Sequence, residues 1–329
     1  MNLHTDAQLF RDAVSFASRP LEEGGLGISP IFIEKDYWIS RSLKLMARHD
    51  TGQRTVFKGG TSLSKAYSIG ARFSEDIDVA ISDTESLSGN QLKNLIRKTA
   101  HNMTEGLKEI QVPGKTSKGS HYYKAYYLYP MLMEPSTASS INPGQILIEI
   151  NSFANPYPSE RCVIQSFLTT FLQKTGDIQL LEEYDMQPFE ITVLDKRRTL
   201  TEKLVSLARC SMADEYFPQL TAKIRHFYDL YYLYSDDKIR CYVDSPEFLD
   251  DFRNLYLHDK NLFAKPEGWQ KRTLAESPLL TALEETWNRL EIVYLRELPE
   301  LAFSKIPDST QILESIKPLL QTFQNTKDL

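Results

Sequence analysis

The chain has 329 residues, 41% hydrophobic and 25% charged; it can bury a core in one large or two moderate domains, and a biased or disordered chain is excluded. A net charge of −6 argues against a general nucleic-acid coat, which would be basic, and leaves a local basic groove open. Cys162, Cys210 and Cys241 are far apart, with no CxxC and no zinc-type His spacing. They read as reduced, buried thiols, and the absence of a signal-peptide pattern or a run of about 18 apolar residues points to a cytoplasmic protein without a membrane partner.

Residues 5–18 carry amphipathic helical spacing through Leu9, Phe10, Val14 and Phe16. After a glycine-containing loop, Ser29-Pro30 reads as an N-cap followed by a first-turn proline, opening a helix to about Arg48. Its Lys35 and Asp36 read first as a solvated face, with a place beside a nucleotide pocket as the alternative.

The stretch Phe57–Ala80 organises the rest. It reads as strand, helix and strand: an apolar run to Lys58, then Gly59, Gly60, Thr61 and Ser62, then Asp76 and Asp78 on an apolar strand. Alternate strand residues share a face, so Asp76 and Asp78 point together while Ile77 and Val79 face the core. Two carboxylates about 4 Å apart repel by roughly 4 kcal/mol at an effective dielectric near 20, so the pair wants a proton or a hard cation such as Mg²⁺. The glycines permit close backbone approach, and amides opening the next helix suit phosphate oxygens. Together these features read as phosphoryl or nucleotidyl transfer. Ser74 either binds a phosphate or metal-bound water, or caps the local turn.

Residues 90–110 read as a further helix, with Lys93, Arg97 and Lys98 on a solvated face. Pro113-Gly114-Lys115-Thr116 is no P-loop, because Glu109 stands where its first glycine belongs. His121–Tyr129 has strong strand propensity, and its tyrosines read as sheet packing rather than base stacking. In residues 145–152, Ile146, Ile148 and Ile150 share one face and Glu149 lies on the other. Glu149 by itself reads as a solvent-facing strand residue; beside the Asp76 strand it becomes a third carboxylate of the site. Phe189–Leu194 reads as a strand, followed by Asp195-Lys196-Arg197-Arg198 as either a phosphate-binding cluster or a solvated turn. Thr199 to Glu202 resembles a capping box, with Lys203 just inside a helix. From Lys223 an aromatic-rich helix carries Arg225 and Asp229 at i, i+4 spacing, suited to a surface pair, and His226 in a structural role. Beyond about residue 240 further helical patterns, such as 279–298, carry no chemical motif.

The motifs GGTSLSKAY and RFSEDIDVA, with EKDYW at 34–38, LTEKL at 200–204 and RHFYDL at 225–230, resemble the AbiEii/AbiGii-type nucleotidyltransferase toxins of the polymerase-β-like superfamily. The resemblance covers roughly the first 235 residues. It implies an α/β (α+β) fold, with a small mixed-sheet nucleotidyltransferase core at 1–195 flanked by helices. A mainly helical C-terminal domain at 196–329 would contribute Lys203 and Asp229. It further implies that Asp76, Asp78 and Glu149 hold Mg²⁺ (or Mn²⁺), that Gly59, Gly60, Thr61, Ser62 and Ser74 bind the nucleotide, and that Lys203 faces its phosphates. Asp229 would orient Lys203 or accept a proton. The implied reaction transfers NMP from an NTP to an acceptor hydroxyl, first of all a tRNA 3′ end, within a toxin–antitoxin or abortive-infection (phage defence) system with an antitoxin partner. The alternatives are protein nucleotidylation at the same site, a non-catalytic NTP-sensing or partner-binding module, and a structural member of a complex with a vestigial site.

Overall fold

The computed structural model describes residues 1–134 and 142–323, and the chain divides into two units, Met1–Ser68 with Phe73–Leu194, and Ile69–Arg72 with Asp195–Leu329. In chain order the first unit holds α1 (Ala7–Ala17), α2 (Pro30–Arg48), β1 (Thr55–Lys58), α3 (Gly59–Tyr67), β2 (Asp76–Ile81), α4 (Gly89–Met103), β3 (Lys108–Ile110) and β4 (Ser117–Lys118). It continues with β5 (Tyr122–Leu128), β6 (Gln145–Asn151), β7 (Ser159–Ile164), α5 (Phe167–Thr175), α6 (Ile178–Glu183) and β8 (Phe189–Leu194).

The strands form one mixed sheet in the order β3-β5-β6-β2-β1-β8-β7, with β4 beside β5. β2 runs antiparallel to β1 and parallel to β6, and β1 runs parallel to β8. Period-two patterning assigns the faces. Ile77, Val79, Ile146, Ile148 and Ile150 are fully buried, while Asp76, Asp78 and Glu149 alternate with them and stay partly exposed. On β5, Tyr123 and Tyr127 are buried with their hydroxyls 2.6 Å apart, as expected for sheet packing.

α2 departs from its sequence expectation. Every residue from Ile31 to Ser40 is buried, so Lys35 and Asp36 are not on a solvated face. Lys35 pairs with Glu75 and donates to the Asn142 carbonyl at 3.0 Å. Asp36 accepts from Lys65 at 2.6 Å and from the Phe167 amide at 2.8 Å, and Glu34 accepts from the Leu132 amide at 2.6 Å. The helix packs on β6, β8, α4 and α5, and its charges find partners distant in sequence, which helical periodicity does not reveal. Around it Phe32 stacks on Phe73 at 4.6 Å and Trp38 on Tyr129 at 5.4 Å, contacts that add to the area they bury.

α4 ends at Met103 rather than near Ile110. Gly106, in the left-handed region at φ 80°, turns the chain, and Lys108–Ile110 joins the sheet edge beside β5.

In the second unit the regular elements among the described residues are helical: α7 (Lys196–Ser211), α8 (Tyr216–Thr221), α9 (Ile224–Tyr234), α10 (Asp237–Val243), α11 (Pro246–Leu262), α12 (Pro278–Thr281), α13 (Leu283–Leu301) and α14 (Ser309–Gln321). α7 starts earlier than the Thr199 capping box would have it. Asp195, directly after β8, is the N-cap and accepts from the Arg197 amide at 2.8 Å, which places Thr199 inside the helix. Aromatic pairs fill this core, with Phe227 against Trp287, Phe252 on Phe323 and Tyr256 against Trp269. Among the described residues no disulfide joins the cysteines, yet only Cys210 is buried; Cys162 is half-buried and Cys241 exposed. Among the described residues no helix is long and apolar enough to cross a membrane.

Removing one partner of a buried ion pair leaves an uncompensated charge, whereas removing both does not. Lys65→Met is therefore expected to destabilise the first unit by roughly 3–5 kcal/mol. Lys65→Met with Asp36→Leu should recover most of that loss, as read from thermal unfolding midpoints.

Candidate active site

The site begins where β1 runs into α3 through the glycine pair. Gly59 has φ 80°, and a Cβ there would lie 2.2 Å from Asp78 Oδ2. Only glycine allows the backbone to pass this close to the carboxylate. α3 opens without a capping side chain, so its first amides, of which Gly60 and Thr61 are part, remain suited to an anion. The hydroxyls behind them turn inward. Thr61 donates to the Asp76 carbonyl at 2.5 Å and lies 3.0 Å from Ser74 Oγ, while buried Ser62 donates to the Gly59 carbonyl at 2.8 Å. These contacts tie the start of α3 to the strand that carries the carboxylates.

Strand register then lines up charge. Lys58 stands opposite Asp78, Asp78 opposite Glu149, and Glu149 opposite Lys124, across β1, β2, β6 and β5. Asp76 lies two residues along β2 on the same face. The structure thus brings Asp76, Asp78 and Glu149 onto one partly exposed face of the sheet. Both oxygens of Glu149 are engaged: Lys124 Nζ donates to Oε1 at 2.5 Å and the Tyr122 hydroxyl to Oε2 at 2.8 Å. Partial burial opposes the charged form of Lys124, but Glu149 and, behind it, Tyr126 and Asp76 outweigh that and hold its pKa above the ordinary lysine value. Burial, reinforced by Glu149 and Asp78, pushes the Tyr122 phenol up as well, keeping it a donor.

Asp76 and Asp78 offer hard oxygen donors side by side, which fits one divalent cation. Among the described residues no three His, Cys, Asp or Glu side chains converge on a common metal position.

The second unit holds its own polar cluster. Arg72 grips Asp229 in a two-pronged contact, Nε to Oδ1 at 2.8 Å and Nη2 to Oδ2 at 2.7 Å, and Lys203 Nζ donates to Oδ2 at 2.7 Å. All three side chains are buried. Asp229 therefore does not form the i, i+4 surface pair with Arg225. The segment bearing Arg72 is fixed by the Tyr228 hydroxyl, which accepts from the Ala71 amide at 3.0 Å, and by the Ala71 carbonyl, which accepts from the Phe303 amide at 2.9 Å. Burial alone would raise the Asp229 pKa, but Arg72 and Lys203 outweigh it and hold the carboxyl well below the usual range. The contact makes Asp229 an anchor for the Lys203 ammonium. Burial, then Lys203 and Lys223, keep His226 neutral, and neither ring nitrogen has a hydrogen-bond partner.

Sequence reasoning missed Arg72, Lys124 and Tyr122. The alternation Tyr122, Lys124, Tyr126 did put Lys124 on a common strand face, but only the register of β5 against β6 brings it to Glu149. Arg72 opens the RFSEDIDVA motif, but nothing local pointed to its partner, which is 157 positions away.

Two expectations follow. Gly59→Ala should cost about 1–3 kcal/mol of stability from the left-handed backbone and the overlap with Asp78, and adding Asp78→Ala should recover the overlap part; urea unfolding would measure both. Asp229, with its folded pKa depressed, contributes stability above its unfolded pKa of about 3.9, which is lost as pH falls through the folded value. Asp229→Asn should thus lower stability by roughly 3–5 kcal/mol at neutral pH. Its deficit against wild type should shrink as pH drops below about 4, as followed by thermal unfolding across that range.

Comparison with known proteins bears on this arrangement. No curated protein matches the sequence. MenT4, a nucleotidyltransferase toxin from Mycobacterium tuberculosis H37Rv, has a similar fold, with TM-score 0.56 at 16% identity over 97% of this chain and 90% of that one. The family model for the nucleotidyl transferase AbiEii toxin of type IV toxin–antitoxin systems matches residues 42–315. With the match spanning most of its length, the chain belongs to the AbiEii nucleotidyltransferase toxin family.

Proposed function

We propose that this toxin transfers NMP from a nucleoside triphosphate to an acceptor hydroxyl, with a tRNA 3′ end as the first acceptor, and that the transfer depends on Mg²⁺. The observation that carries this reading is the adjacency of Asp78 to the Gly59 backbone, with Asp76 on the same strand face. That adjacency sets an anion-receiving helix start beside a carboxylate pair.

Bound by Asp76 and Asp78, Mg²⁺ (or Mn²⁺) supplies charge stabilisation for the phosphates and the departing pyrophosphate. The amides of Gly60 and Thr61 receive phosphate oxygens, and Gly59 keeps the approach open. The Thr61 hydroxyl donates to the Asp76 carbonyl, with Ser74 Oγ 3.0 Å from it, which steadies the start of the carboxylate strand beside the phosphate position. Lys203 is assigned to the triphosphate from the resemblance of LTEKL at 200–204 to the family motif. Asp229 acts as its positioning partner. The acceptor oxygen bonds to the α-phosphorus, the bond to the bridging oxygen breaks, pyrophosphate leaves and the hydroxyl proton passes to water. Blocking acceptor ends would arrest translation, which accounts for toxicity and for the restraint an antitoxin provides.

The test is incubation with Mg²⁺, each labelled nucleoside triphosphate in turn, and total tRNA or cell lysate, with Asp76→Ala beside the wild type. Label is expected in RNA, falling about 10²–10³-fold in Asp76→Ala. Label on a protein band would replace the RNA acceptor by a protein hydroxyl. Nucleotide binding without transfer to any acceptor would overturn the enzymatic reading in favour of a sensor.

A further inference from the structure

We propose that Lys124 is a built-in cation of the carboxylate face, so that Glu149 is not a metal ligand and the site takes a single divalent ion. This inference rests on the nucleotidyl-transfer reading and deepens it.

Three observations carry it. First, Lys124 and Glu149 are direct partners on neighbouring antiparallel strands, and Glu149 is in turn the direct partner of Asp78. The ammonium is therefore placed by the sheet itself, not by a mobile loop. Second, both Glu149 oxygens are taken, one by Lys124 at 2.5 Å and the other by the Tyr122 hydroxyl at 2.8 Å. A second divalent ion would have to displace a charge-assisted hydrogen bond that is only partly open to water. Third, among the described residues no group of three ligating side chains forms, although three carboxylates share the face.

Charge balance agrees. Asp76, Asp78 and Glu149 against Lys58 and Lys124 leave one net negative charge. One divalent ion turns this to one positive charge, enough to attract a triphosphate, whereas two ions would leave three positive charges on the face. Lys124 thus does part of a second ion's electrostatic work with a permanent charge. It is a positioning and charge-balancing residue rather than one that bonds the reacting atoms.

The test counts Mn²⁺ bound by the full-length protein alone, following the loss of the free-ion paramagnetic resonance signal as the ion is titrated in. The wild type and Glu149→Gln are each expected to bind one Mn²⁺ per chain. Lys124→Met, checked for folding by circular dichroism, should rise to two, and Lys124→Met with Glu149→Gln should return to one. Two ions on the wild type, or loss of the ion in Glu149→Gln, would overturn the inference and leave nucleotidyl transfer intact. A folded Lys124→Met that stays at one would also overturn it. A wild type that binds no ion would overturn both. The wild type and Glu149→Gln arms decide the matter even if Lys124→Met does not fold.

Discussion

Two parallel strands set Asp78 and Glu149 side by side, and the surrounding architecture answers the repulsion between them. Like charges directly opposed across a sheet are destabilising, so this pairing persists only with compensation. Lys58 flanks it on β1 and Lys124 on β5, and Tyr122 donates from the same strand as Lys124. The glycine start of α3 exists in its present form because Asp78 occupies the space that any side chain at Gly59 would need. Register, charge alternation and the glycine turn are one constraint seen from three sides.

The second unit solves a related problem by the opposite means. On the sheet face the charges stay partly wet and balance pairwise along a row. Around Asp229 they are withdrawn from water, and one carboxylate serves two cations. Burial raises the cost of leaving any of the three unpaired, which fixes the geometry of Lys203 firmly. The same logic runs through α2, whose Lys35, Asp36 and Glu34 are interior groups held by partners from other elements. Much of the specificity of this fold is thus written in buried polar contacts rather than in hydrophobic area alone.

That division explains what was legible beforehand. The strands 76–81, 145–151 and 189–194 were readable because alternation or β propensity marks them. The shared face of Asp76 and Asp78 followed from the same period. The family resemblance added the helical second part and the pairing of Lys203 with Asp229 as candidates. What stayed hidden depended on partners far along the chain: the burial of Lys35 and Asp36, the grip of Arg72 on Asp229, the reach of Lys124 to Glu149. Local competition hid the rest. Asp195 took the cap that Thr199 seemed to own, and Gly106 cut a helical pattern short so that Lys108–Ile110 became an edge strand.

The sheet order also has a bearing on synthesis. β1 and β2, which carry the glycine turn and the aspartates, lie between β6 and β8, and β8 ends at Leu194. A ribosome adds about 5–20 residues per second, so on the order of ten seconds separate the emergence of Gly59 from that of the strand beside it. Throughout that interval the central strands have an unpaired edge, and such edges invite mispairing with other chains. A toxin whose key motif is translated early thus remains unassembled on the ribosome until its last sheet strand has emerged.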